Sequence, residues 1–173
     1  YIHAAPIDKP ERPDIIFIYA DDLGWGDLGC YGNTRLKTPN LDKMAGSGIL
    51  FTNYYSASSV CSPSRAAVMT GLFPARLGIH TATSNPLDIN ATVITRLFQQ
   101  NGYKVGHFGK WHLGNSKDSP LPSEYGIDEY ATYLSRDAAL KIPRNESSEK
   151  LVDLTISFIE RNKDENFYVN LWS

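Results

Sequence analysis

The chain has 173 residues, of which 42% are hydrophobic and 12% aromatic, which is the size and composition of one globular domain with a buried core. With 17 basic and 19 acidic residues the formal net charge is −2, so the overall charge does not favour nucleic acid or an anionic membrane as a partner. No apolar run approaches the roughly 20 residues that span a bilayer, and two cysteines are too few for a disulfide scaffold.

The first predicted element is a strand over Asp14 to Ala20, a continuous apolar run rich in β-formers. Such a run is typical of an inner strand of a parallel sheet that is covered on both faces. It ends at Asp21 and Asp22, in a segment whose glycines and aspartates favour turns. The pattern therefore predicts that the two acids lie at the carboxyl edge of the sheet, where open α/β sheets bind ligands.

A helix, a strand and a second helix are predicted next along the chain. Thr38 as a cap and Pro39 in the first turn begin the first of these helices. The aromatic and β-branched stretch 49–57 favours a strand. The second helix is predicted over Ser62 to Gly71, which places Cys61 at its amino-terminus.

The second half of the chain continues this alternation. Helices are predicted over about Ala91 to Gln100 and over Ser148 to Arg161, and strands over Tyr103 to Trp111 and Phe167 to Trp172. Between them, Asn115 to Pro120 is polar and rich in breakers. The sequence thus predicts one α/β domain with a mostly parallel central sheet flanked by helices.

The segment from Cys61 to Arg65 is the most informative part of the sequence. A residue at the start of a helix is surrounded by unpaired backbone N–H groups, which bind anions. Arg65 lies one turn later on the same face and supplies a fixed cation. These features fit a nucleophile beside an anion site at position 61, and a buried free cysteine, the commoner fate of this residue type, fits the segment alone equally well.

Two further pairs of residues carry candidate chemistry. Asp21 and Asp22 offer hard oxygen ligands suited to Ca²⁺ or Mg²⁺, although a solvated turn is the simpler interpretation of their spacing alone. Lys110 and His112 face one side of an extended chain, where the amine can bind an oxyanion and the imidazole can move a proton. In isolation, a surface lysine and a satisfied histidine on either side of a packed Trp111 are the better explanation of this segment. His107, within the predicted strand, is interpreted as structural.

Together, these segments resemble the type I sulfatases of the alkaline phosphatase superfamily. Cys61 to Arg65, with a Thr-Gly pair downstream, matches the family's Cys-x-Pro-Ser-Arg signature. Asp21 to Asp27 matches its first metal-binding stretch, and Gly109 to Gly114 matches its second signature. The three motifs occur in the family's order and cover about Asp14 to Gly114. The resemblance implies an alkaline phosphatase-like sulfatase core.

The resemblance further implies how position 61 matures. Cys61 would be oxidised after translation to formylglycine, and Ser62 to Arg65 would first be recognised by the formylglycine-generating enzyme. By analogy, Asp21 and Asp22 bind Ca²⁺, or Mg²⁺, which also contacts residue 61 and the sulfate. Residue 61 thus counts both as the catalytic residue and as a metal ligand.

The remaining catalytic roles follow from the same resemblance. The aldehyde of formylglycine hydrates to a diol, which Arg65 and Lys110 would stabilise. One diol oxygen attacks sulfur and the alcohol leaves, so that residue 61 carries the sulfate as an ester. His112 would then take a proton from the second hydroxyl, which expels sulfate and restores the aldehyde.

The activity implied is hydrolysis of sulfate esters, with a sulfated carbohydrate as the expected substrate from the breadth of the family. An aryl or steryl sulfate stays open, because the family's specificity loops lie partly in the variable region from Asn115 to Pro143. Two other functions also stay open: hydrolysis of phosphate or phosphonate esters on the same scaffold, and binding of sulfated glycans without catalysis.

Residues 1–173 are interpreted as the amino-terminal part of a sulfatase catalytic domain. Members of the family carry a substrate-side histidine, an Asp-Asn pair for the metal, a further lysine and a small carboxyl-terminal domain later in the chain. The chain is therefore expected to be inactive alone. The resemblance implies an exported protein, whether secreted, periplasmic or lysosomal, and Tyr1 to Pro6 fit either the remnant of a cleaved leader or an artificial start.

Overall fold

The structure is a computed structural model that describes residues 12–82, 85–137 and 147–173, so the predicted leader remnant lies outside the described residues. Among the residues described, every helix is too short or too polar to cross a bilayer. The strands are β1 (Ile15–Tyr19), β2 (Lys104–Lys110), β3 (Glu129–Tyr133) and β4 (Phe167–Trp172). The α-helices are α1 (Pro39–Ser47), α2 (Cys61–Thr70), α3 (Pro74–Leu77), α4 (Ile94–Gln100) and α5 (Ser147–Arg161).

The four strands form one sheet in the order β1-β4-β2-β3, and every neighbouring pair is parallel. Because side chains alternate along a strand, β2 and β4 contribute to two hydrophobic clusters on opposite faces. Val105 and Tyr168 belong to the cluster that α2 and α4 cover. Phe108 and Val169 belong to the cluster that α5 covers. The predicted α/β fold with a parallel sheet flanked by helices is confirmed, and the carboxyl ends of all four strands lie at one edge.

The prediction that the first strand is an inner strand is wrong within the described chain. β1 is an edge strand, and its residues alternate between half-buried and exposed, with Ile16 50% and Ile18 59% exposed. Phe17 and Tyr19 face the other way and pack against Trp172. An apolar run alone does not specify whether one or both faces of a strand are covered, which depends on residues far away in sequence.

The predicted strand over 49–57 is also absent from the structure, which has no regular element at these positions. Ile49, Tyr54 and Tyr55 are 83%, 74% and 82% exposed. A strand requires a neighbouring strand to pair its backbone groups, and in the described sheet β1 pairs only with β4. Aromatic and β-branched composition alone is therefore not enough to form a strand at residues 49–57.

β3 was not predicted, and it lies inside the variable region from Asn115 to Pro143. It pairs with β2, and the backbone that leaves it holds the loop after β2. The backbone N–H of Trp111 donates to the carbonyl of Tyr133 at 3.0 Å, and that of His112 donates to the carbonyl of Leu134 at 3.1 Å. This strand therefore orients the predicted Lys110–His112 pair.

Gly109 allows β2 and β4 to approach closely at the carboxyl edge. Its φ is +118°, a conformation that L side chains rarely adopt, and a Cβ built there would lie 1.8 Å from the carbonyl oxygen of Trp172. The residue before Lys110 is therefore restricted to glycine by backbone geometry, whatever its place in a functional motif.

Candidate active site

α2 begins at Cys61, as predicted, with the extended residue Val60 before it. No side chain caps the helix, so its first N–H groups remain open to an anion. Cys61 is half-buried and lines a cleft of about 660 Å³ at the carboxyl end of β1. The alternative of a fully buried cysteine in the core is therefore wrong for this residue.

Arg65, one turn into α2, is completely buried and joins three parts of the chain. Its Nη1 donates to the carbonyl of Lys110 at 3.0 Å. Its Nη2 donates to Oδ1 of Asp21 at 3.0 Å and to the carbonyl of Ser173 at 3.2 Å. Nε is buried and has no partner among the described residues. The guanidinium therefore fixes the ends of β1, β2 and β4 relative to one another.

Two aromatic rings flank the same guanidinium. Its Cζ lies 5.3 Å from the ring centroid of Tyr19 and 5.2 Å from that of Trp172, which is the geometry of cation–π contacts. The hydroxyl of Tyr19 is hydrogen-bonded to that of Ser64, which in turn contacts the hydroxyl of Ser56 at 2.6 Å. Sequence reasoning missed these supporting residues, although Tyr19 and Trp172 end strands that meet at one sheet edge.

Asp21 bridges the two cations that the sequence predicted. Its Oδ1 accepts from Arg65, and its Oδ2 accepts from Nζ of Lys110. Burial alone raises the pKa of Asp21, but the hydrogen bonds and charges of Lys110 and Arg65 outweigh burial and hold the pKa below its ordinary value. The carboxylate is therefore ionised at neutral pH. We refer to Asp21, Arg65 and Lys110 as the ionic trio.

Asp22 lines the same cleft as Asp21 and Cys61 and has a φ of +53°. Within the described ranges, no group of three histidine, cysteine or acidic side chains is placed to hold a metal ion. Two carboxylates are nevertheless the hard oxygen donors that Ca²⁺ prefers, and Ca²⁺ takes 6–8 ligands. The described residues therefore fit part of a calcium site, in which Asp21 already binds two protein cations.

His112 lies in a second, smaller cleft of about 390 Å³, which Ser62 also lines. Its Nδ1 is buried without a partner in the described chain, and its φ is +55°. Burial lowers the pKa of His112, and the positive charges of Lys110 and Arg65 lower it further. The imidazole is therefore neutral at pH 7, as a group that takes up a proton must be.

Backbone strain marks this region in a way that sequence does not show. Among the described residues that are not glycine, a positive φ occurs at Asp22, His112 and Leu134. Such conformations cost about 1–3 kcal/mol each and cluster at functional sites. Two of the three are predicted site residues, and the third accepts the hydrogen bond that orients His112.

The structure thus brings the predicted residues into one region but divides them between two clefts. Asp21, Asp22 and Cys61 line the larger cleft, whereas His112 lines the smaller one. Arg65 is completely buried and contacts Asp21.

His107, predicted to be structural, is completely buried beneath the trio. Its Nε2 lies 3.4 Å from the carbonyl oxygen of Lys110, and its ring packs edge-on against Trp111 and Trp172. Burial lowers the pKa of His107 to about 3. A neutral Nε2–H tautomer is the form that donates to this carbonyl, so His107 supports the backbone that carries Lys110.

The Sulfatase family model matches residues 13–172 of the chain. Human N-acetylgalactosamine-6-sulfatase is 41% identical over 133 residues, which cover 70% of this chain and 25% of that protein. Human arylsulfatase A is 40% identical over 133 residues, which cover 73% of this chain and 26% of that protein. Human steryl-sulfatase is 44% identical over 126 residues, which cover 67% of this chain and 22% of that protein. The chain spans about a quarter of the length of these curated relatives.

Solved structures with a similar fold are also found. A protein in complex with D-glucosamine-2-N,6-O-disulfate matches with a TM-score of 0.80 and 27% identity, over 94% of this chain and 34% of that one. Ps i-CgsB in complex with k-i-k-neocarrahexaose matches with a TM-score of 0.79 and 29% identity, over 94% and 45%. The parallel sheet and its helices are those of an alkaline phosphatase-like sulfatase core. The chain therefore belongs to the sulfatase family.

Proposed function

We propose that residues 1–173 form the amino-terminal, nucleophile-bearing part of the catalytic domain of a sulfate ester hydrolase. Its reaction cleaves R–O–SO₃⁻ with water to give the alcohol R–OH and sulfate. The observation that carries the proposal is the ionic trio: residues from three separate motifs meet in direct contact at the edge of the sheet, next to the cleft that holds Cys61.

Position 61 would act after conversion of its cysteine to formylglycine. In the hydrated form, that group supplies one hydroxyl as a nucleophile and a second whose deprotonation releases sulfate. The side chains of Ser62 to Arg65, which the formylglycine-generating enzyme would read, are all buried in the folded chain. Recognition of this signal would therefore precede folding of α2.

The metal proposed here is Ca²⁺, with Mg²⁺ as the alternative. Asp21 and Asp22 would hold the ion in the cleft that Cys61 lines, and the ion would neutralise charge on the sulfate oxygens. Hard carboxylate oxygens support this assignment. The remaining ligands would be water, substrate or protein groups outside the described residues.

The cations and the imidazole have separate tasks in this proposal. Lys110 would stabilise negative charge on residue 61 and the sulfate, since only 11% of its side chain is exposed and solvent screens it weakly. Arg65 would hold Asp21 and the Lys110 carbonyl in place through its bonds to both. His112 would accept the proton from the second hydroxyl, because its lowered pKa leaves it neutral at pH 7.

A sulfated carbohydrate is the proposed substrate class. Support comes from the ligands bound in the similar structures, a disulfated glucosamine and a neocarrahexaose. The similar proteins also include an arylsulfatase and a steryl-sulfatase. The names of the relatives therefore do not identify which alcohol the sulfate ester contains. Export of the protein, whether secreted, periplasmic or lysosomal, stays a prediction from the family resemblance.

The test is to express the protein in the full length that its gene encodes, together with a formylglycine-generating enzyme. Intact mass should show a loss of about 18 Da at Cys61, and 4-nitrophenyl sulfate should be hydrolysed. Cys61→Ser should lower kcat by about a thousandfold or more, because serine lacks the second hydroxyl. Cys30→Ser, a change at a half-buried cysteine away from both clefts, is the control and should keep kcat within about twofold.

Multiple turnover by the Cys61→Ser variant would contradict the proposed mechanism. A higher kcat/KM for 4-nitrophenyl phosphate than for the matched sulfate would instead favour the phosphate and phosphonate alternative. Unconverted Cys61, with binding of sulfated glycans and no hydrolysis, would favour the non-catalytic alternative.

A further inference from the structure

The smaller cleft, beside His112, contains polar groups that the proposed reaction steps do not use. Its lining residues come from 79–82 and 85–86 on one side and from the loop 112–119 on the other, together with Ser62. Its volume of about 390 Å³ falls within the range of small-molecule sites. Ser62 directly follows Cys61, and His112 lies two residues after Lys110. The cleft is therefore adjacent to the reacting position.

The lining of this cleft mixes polar and apolar side chains and carries no formal charge. None of its described lining residues is Asp, Glu, Lys or Arg. The hydroxyls of Ser116 and Ser119 are paired with each other at 2.7 Å. By contrast, the side-chain amides of Asn85 and Asn115 make no hydrogen bond to any residue that the structure describes. Each amide offers two donors and one acceptor oxygen to a ligand.

We propose that this cleft binds the alcohol part of the substrate as a neutral, hydroxyl-bearing sugar ring, with Asn85 and Asn115 hydrogen-bonded to ring hydroxyls. The inference rests on the proposed function, because it places the sulfate beside Lys110 and the ester oxygen near His112. Amides match hydroxyl groups, which both donate and accept. The sulfate would remain outside the cleft, in reach of the trio and Cys61.

The same lining disfavours two other classes of alcohol. A ring with a second sulfate or a carboxylate inside the cleft would bury a negative charge without a cation. A steroid would cover the two amides and leave their polar groups unpaired, which costs about 1–3 kcal/mol for each buried group. Sites that hydrogen-bond a hydroxyl strongly reject analogues without it.

The experiment measures kcat/KM of the converted, full-length protein for two esters: a hexopyranoside 6-sulfate without other charges, and 4-nitrophenyl sulfate. Asn85→Leu and Asn115→Leu should each lower kcat/KM for the sugar ester by about tenfold and leave the aryl ester within about twofold. Asn40→Leu, at an exposed asparagine outside both clefts, is the control and should change neither.

Equal loss on both esters, or no loss on the sugar ester, would overturn the inference while leaving the proposed function intact. Absence of hydrolysis of either ester by the unchanged, converted protein would overturn the proposed function instead. In that case the cleft is tested by nuclear magnetic resonance with the unsulfated methyl hexopyranoside. Shifts of the Asn85 and Asn115 side-chain amide signals would support the sugar site, and their absence would reject it.

Discussion

The centre and the edge of the sheet contribute differently to the candidate site, although both are built from apolar strands. Along β2, every residue from Val105 to Lys110 is buried. Along β1, exposed and half-buried residues alternate. Lys110 follows the packed centre and is held from below by His107 and from the side by Arg65. Asp21 and Asp22 follow the open edge and face a cleft.

This difference indicates that the two halves of the site have different tolerance to change. The cations are fixed by buried hydrogen bonds and aromatic contacts, so their geometry exists before any ligand binds, as electrostatic stabilisation requires. The acids and Cys61 face a cleft, where a metal, a maturing enzyme or a substrate has access.

Gly109→Ala should have the largest effect, because a Cβ would lie 1.8 Å from a backbone carbonyl in the packed centre. We expect a loss of more than about 3 kcal/mol in the free energy of unfolding, or no folded protein. Gly46→Ala, in α1, meets no atom within 4 Å and is the control. It should stabilise by about 0.5–1 kcal/mol. Urea unfolding followed by circular dichroism measures the free energy of unfolding of both variants. Equal changes in the two variants would show that the packed centre of the sheet tolerates substitution as well as the exposed positions do.

Asp21→Asn should destabilise by about 2–3 kcal/mol at pH 7, because it leaves the buried Arg65 without its anion. Asp22→Asn should change the free energy of unfolding by less than about 0.5 kcal/mol. Since the pKa of Asp21 is lowered on folding, its stabilising effect is present above the unfolded value of 3.8 and is lost as pH falls through the folded pKa. The deficit of Asp21→Asn should therefore shrink below pH 3.8. A deficit independent of pH would reject an ionic role.

His107→Met should change the acid side of the stability profile. The pKa of His107 is about 3 in the fold and 6.5 ordinarily, so between these values the unfolded chain binds the extra proton and stability falls with decreasing pH. Methionine removes that dependence, which amounts to about 1.4 kcal/mol per pH unit within the window. Unfolding measured from pH 7 to pH 4 should give a shallower slope for the variant. An unchanged slope would show that His107 is not buried in neutral form.

Ile18→Thr should have the smallest effect, below about 0.5 kcal/mol, because the side chain is 59% exposed on the open face of β1. The matched change Val169→Thr, on the buried β4, should cost about 1–3 kcal/mol by placing a hydroxyl in the core. A large cost for Ile18→Thr would show that another surface covers β1 in solution.

Sequence reasoning located the chemistry better than the architecture. Asp21 was predicted at the carboxyl edge of the sheet because a buried strand ends there, whereas its meeting with Arg65 and Lys110 was implied only by the family resemblance. The edge position of β1 was not predictable, since it depends on which strands lie beside it. β3 was missed because it has only five residues, Glu129–Tyr133, without a clear apolar alternation. The division of Cys61 and His112 between two clefts and the φ of +55° at His112 were likewise not predicted from the sequence.

The charges of the ionic trio are balanced by a neighbour. Its two cations and one carboxylate sum to +1, and Asp22 in the cleft beside Asp21 brings the formal charge of this corner to zero. Arg65 is entirely shielded from solvent, and ions in the medium screen buried charges far less than exposed ones. The pull of these cations on an anion is therefore of short range, and it should weaken little as ionic strength rises, unlike capture by surface lysines.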